Sequence, residues 1–96
     1  MSVFVAVSNE LWEDNYERTK REVVSCLKRD TPLGATHILL TPNPSVIDSY
    51  RADFYKHRTE SGRWFMWNLR TLKWLRVTML DRAKSHLIEI NERETE

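Results

Sequence analysis

The sequence predicts an α+β domain, a largely antiparallel twisted sheet of four to five strands with a long helix after the first strand and a C-terminal helix. Three observations lead there. The hydrophobic period changes after residue 10, from a continuous apolar run to spacings of three and four. Between residues 52 and 78, three β-favouring runs are separated by four-residue turns. A second stripe at three-and-four spacing then closes the chain. Ninety-six residues make room for one domain over 1–96, burying roughly 60–65% of the unfolded surface.

The elements follow in order. Residues 3–7, VFVAV, read as a strand apolar on both faces. From 10 to about 29, Trp12, Tyr16, Thr19, Val23 and Leu27 form one stripe of an amphipathic helix. Ser8 or Asn9 can cap it, and acids near its start with bases near its end suit the helix dipole. Asp14 with Arg18 and Glu17 with Arg21 are expected i,i+4 pairs. Pro32 and Gly34 stop this helix. Residues 36–40 read as a second strand, ended by Thr41-Pro42-Asn43-Pro44. Residues 45–50 carry no defined period, although Ser45 can cap a single turn.

Residues 52–58, 63–68 and 73–78 read as three antiparallel strands joined by turns at 59–62 and 69–72. Pairing Trp67 with Leu72 would set Phe65 opposite Trp74 and Trp64 opposite Leu75. Thr78-Met79-Leu80-Asp81 resembles a capping box opening the last helix, whose stripe is Leu80, Ala83, Leu87 and Ile90. The polar tail 91–96 is expected to fray.

Charge is unevenly spread. The net charge is +1, yet residues 51–78 hold seven Lys and Arg against Asp53 and Glu60. The segments on either side are each mildly acidic. The basic block also carries three of the four Trp. A uniformly basic nucleic-acid coat is excluded, and a local basic patch is not. No apolar run approaches the ~18–20 residues of a membrane span, and the start lacks the marks of a leader. A single cysteine, Cys26, suits a cytosolic protein. The expected place is therefore the cytoplasm, without membrane association.

Catalytic chemistry finds little footing. His37, His57 and His86 show no metal-ligand spacing, and Cys26 beside the helix stripe reads as a small buried hydrophobe. Two glycines cannot build a phosphate-cradling loop. The acids Glu13 and Glu17 fall on a solvated helix face. No enzyme, cofactor or metal is expected. Binding is the better reading, because aromatic and Arg side chains interleave on the 63–76 segment as they do at interface hot spots. The candidate contact set is Arg63, Trp67, Arg70, Lys73, Trp74 and Arg76. Its partner is read first as a protein, second as single-stranded nucleic acid, whose bases stack on exposed rings while cations meet phosphates. A homodimer formed through the same patch is a third reading.

Leu33-Gly34-Ala35-Thr36-His37, Phe54-Tyr55-Lys56, Gly62-Arg63-Trp64-Phe65-Met66-Trp67 and Trp74 together resemble a module of small bacteriophage- and prophage-encoded proteins. Those carry a GATH strand, a YYK-like strand and a G-x-W-Y-x-W … W hairpin. The likeness covers about residues 33–77, with Phe54 and Phe65 standing where that pattern has tyrosine. It implies a phage-type accessory protein acting in a bacterial host cell. Such a protein would bind and inhibit a host macromolecule, such as RNA polymerase or a defence complex. A homo-oligomeric, virion-associated structural role is a further alternative.

Overall fold

A computed structural model describes residues 3–7, 16–84 and 86–90. The elements run β1 (Val3–Ala6), α1 (Tyr16–Cys26), β2 (His37–Pro42), β3 (Ser49–Arg58), β4 (Arg63–Asn68), β5 (Lys73–Val77), α2 (Asp81–Lys84) and β6 (Leu87–Glu89). All six strands form one antiparallel sheet in the order β5-β4-β3-β2-β6. The ten-residue β3 is its spine. One edge of β3 pairs with β2, and the other is shared end to end by β1, opposite Ser49–Ala52, and β4, opposite Tyr55–Arg58.

Strand alternation sorts the side chains into two faces. Ala52 and Phe54 point to the same side as Val5, Ile38 and Ile88, and α1 covers them by burying Thr19 and Val23, with Leu27 buried in the turn just after it. Ile88, Ile38 and Phe54 lie in one cross-strand row, each 2 % exposed or less. Each such side chain contributes about 1.5–3 kcal/mol by leaving water.

Two connections cross the sheet. The α1 connection joins β1 to β2, which run parallel on either side of β3. The α2 connection joins β5 to β6, also parallel to each other but pointing the opposite way. Crossovers between parallel strands are right-handed almost without exception. By that rule, these two crossovers, advancing in the same lateral direction from oppositely pointing strands, would pass over opposite faces. Trp64 lies on the face away from α1 and is only 9 % exposed.

Several expectations change. The sheet has six strands rather than four or five. The long helix after the first strand is not seen; α1 has eleven described residues, and the expected start at 10–15, with Trp12, lies outside the described residues, as does the tail 91–96. Its ion pairs are Arg18 with Glu22 at 3.2 Å and Glu17 with Lys20 at 3.0 Å, not Glu17 with Arg21; Asp14 is outside the described residues. Thr31 ends the helical turns by donating its Oγ1 proton to the Leu27 carbonyl at 2.7 Å. The C-terminal helix shrinks to the single turn of α2, followed by strand β6. Ile88, between the predicted stripe positions Leu87 and Ile90, is the buried residue, and the open edge of β2 takes this segment as a strand. Cys26 is exposed rather than buried, and His86 sits in the turn before β6 rather than in a helix.

Candidate functional site

The site begins with the register of the hairpin. Trp67 stands opposite Trp74, Phe65 opposite Arg76 and Trp64 opposite Val77. This is two residues away from the expected pairing. A two-residue slip leaves every side chain on its expected face, because the side-chain period is two. β3 supplies the next column, with Lys56 opposite Phe65 and Arg58 opposite Arg63.

On the α1 side, strands β3 to β5 therefore show three rows. Arg58 and Arg63 form one, Lys56, Phe65 and Arg76 the second, Trp67 and Trp74 the third. The arginines are exposed, whereas Lys56 and the three rings are half-buried. No acid lies on these rows, and among the described residues none of the four cations makes an ion pair. The acids nearest in sequence are Glu60, exposed in the turn between Arg58 and Arg63, and Asp53, which points to the other face and pairs with Arg51 at 3.4 Å.

The rings are held from two sides. Trp67 and Trp74 pack against the core while meeting each other edge-on at 5.1 Å. Lys56 Nζ lies 5.5 Å from the centre of Phe65 and 5.0 Å from that of Trp74, within cation–π range of both. One face each of Phe65 and Trp74 is thus already met by a cation.

The six residues expected to form the contact set separate in space. Arg63, Trp67, Trp74 and Arg76 share this surface, Lys73 points to the opposite face, and Arg70 lies in the β4–β5 turn. Lys56, Arg58 and Phe65 belong to the surface and were missed. The alternation Ala52, Phe54, Lys56, Arg58 along β3 was the available signal, since it continues a buried face into two cations.

The opposite face gathers a second cluster. His57 stacks on Trp64 with ring centres 4.2 Å apart and planes 8° from parallel, and His37 packs on the same indole at 5.0 Å. Thr36 Oγ1 accepts the His57 backbone N–H at 2.8 Å and lies 2.8 Å from His37 Nδ1. Burial holds His37 below the usual imidazole range and His57 pushes the same way, while Glu89 opposes both. The spacing of the histidines in sequence gave no hint that two of them meet. Among the described residues no three His, Cys, Asp or Glu side chains converge to hold a metal ion. No described helix is long and apolar enough to cross a membrane. Comparison of the chain with protein families, curated proteins and solved structures finds no match.

Proposed function

We propose that the protein is a non-enzymatic binding module that docks an acidic surface of another protein on the β3–β5 rows. The observation that carries this reading is the composition of one face: Lys56, Arg58, Arg63 and Arg76 around Phe65, Trp67 and Trp74, with no acid among them. Cations left without counter-charges attract an acidic partner over a Debye length, and half-buried rings give the contact its apolar anchor. Lys56 over Phe65 and Trp74 favours a protein over single-stranded nucleic acid, because a base stacking on either ring from that side would displace it. The resemblance to small phage proteins supports a bacterial host protein as the target and inhibition by occupation as the outcome.

The test is capture of partners from bacterial lysate by the tagged chain, with and without nuclease, comparing two double variants. Arg63→Glu with Arg76→Glu is expected to abolish capture of a nuclease-resistant protein. Arg70→Glu with Lys73→Glu, off the surface, is expected to leave it intact. Equal capture by both variants removes the β3–β5 rows from consideration. Partners that vanish on digestion turn the reading to nucleic acid.

A further inference from the structure

Building on the basic-surface reading, we propose that the partner docks as an extended strand added to the outer edge of β5, with acidic and aliphatic residues in alternation. β5 is the outermost strand on its side, and among the described residues no backbone hydrogen bond reaches its outer edge. Its register with β4 runs unbroken over five residues, from Asn68 opposite Lys73 to Trp64 opposite Val77. It contains neither proline nor glycine. Such an edge is a template on which an extended peptide can complete its backbone hydrogen bonds.

The two faces of β5 specify what that peptide carries. Trp74 and Arg76 point to the α1 side and continue the basic rows. Lys73, Leu75 and Val77 point to the other side, where Leu75 is 44 % exposed. Consecutive side chains of an added strand alternate between these faces. On the α1 side they meet Arg76, with Lys56 and Arg63 further in, and a carboxylate supplies the missing counter-charge. On the other side they meet Leu75 and Val77, which an aliphatic side chain covers, while the exposed Lys73 at the start of β5 stays in solvent. Edge cations ordinarily deter chance strand pairing. Here they reject a wholly apolar strand, which would desolvate Arg76 without compensation, and admit one that brings acids. A second copy of β5 brings Lys73 and Arg76 and no acid, so self-pairing offers no counter-charge.

The probe is a short capped peptide of alternating Glu and Val, titrated into the full chain. Controls are a peptide of the same composition with its acids in one block, and one with Lys in place of Glu. Binding of the alternating peptide is expected to slow hydrogen exchange at β5 amides. Affinity for the block peptide is expected to be about tenfold lower, a loss of ~1.4 kcal/mol, and the Lys peptide is expected not to bind. Arg76→Gln is expected to weaken the alternating peptide while the melting curve stays unchanged. No binding, equal affinity for alternating and block peptides, or binding without slowed exchange in β5 overturns strand addition. The basic-surface reading is judged separately by capture with the Arg63 and Arg76 variants, so the two can fail independently.

Discussion

A single hydroxyl, that of Thr36, ties β2 to β3 beside the two histidines that pack on Trp64. It accepts the His57 N–H at 2.8 Å, and its one proton can go to His37 Nδ1 at 2.8 Å or to the Tyr55 carbonyl at 3.5 Å. In the neutral imidazole that burial favours, Nδ1 accepts this proton when the ring carries its own on Nε2. Protonating His37 forces Nδ1–H to donate instead and turns the hydroxyl towards the longer contact. Burial depresses the folded-state pKa of His37 below the unfolded value of 6.5, against the opposing charge of Glu89. The unfolded chain then binds the proton more readily, so this group costs stability as pH falls below about 7. The loss levels off once pH is below the folded pKa as well. Denaturation of His37→Gln at several pH values is expected to show a flatter slope across this window than the parent chain. An identical slope would mean that another group dominates acid sensitivity. Thr36→Val, which leaves the part-buried His57 N–H without its acceptor, is expected to lower stability by ~1–3 kcal/mol at neutral pH.

The two hairpins show how much of an element can be read from sequence. Both loops have four residues, and both close with an N–H to the carbonyl four residues back, Gly62 to Arg58 and Leu72 to Asn68, each at 2.8 Å. Both final loop residues have positive φ, 70° at Gly62 and 55° at Leu72. Glycine accepts that conformation freely, whereas a leucine is strained there by roughly 1–2 kcal/mol. In the second loop Asn68 Oδ1 compensates by accepting the N–H groups of Arg70 and Thr71. An ideal Cβ at Gly62 meets nothing within 4 Å, so Gly62→Ala isolates the backbone term and is expected to destabilise by about 1–2 kcal/mol. Leu72 is 66 % exposed, so Leu72→Gly gives up little burial and is expected to stabilise by about 0.5–1 kcal/mol. Chemical denaturation checks both, and a neutral result at both positions would mean that neither turn governs stability. The loop lengths and strand faces were legible because turn chemistry and period are local. Strand β6 was not. Leu80, Ala83, Leu87 and Ile90 satisfy a helical stripe, and only the unfilled edge of β2, a long-range fact, turns Leu87–Glu89 into a strand with Ile88 facing Ile38.

At the scale of the whole molecule, the charge excess of the 51–78 block was legible, but its assembly into rows was not, because rows depend on register between strands distant in sequence. Register also exposes an electrostatic conflict. Arg58 and Arg63 stand directly opposite each other on the outermost row, a like-charge pair that a sheet selected only for stability would avoid. Neither has an ion-pair partner among the described residues, and both are exposed. On the proposed binding reading, such a pair would be kept at a cost in stability for the sake of the contact. Arg63→Glu converts the repulsion into a cross-strand ion pair, worth about 0.2–1 kcal/mol relative to a neutral pair. The variant is therefore expected to melt higher than the parent chain while capturing less of its acidic partner, and both effects are expected to shrink as salt is raised. Opposite movement of stability and binding under one substitution separates a functional surface from a merely soluble one. If Arg63→Glu melts higher and still captures the partner undiminished, the row is an uncompensated defect and the contact lies elsewhere.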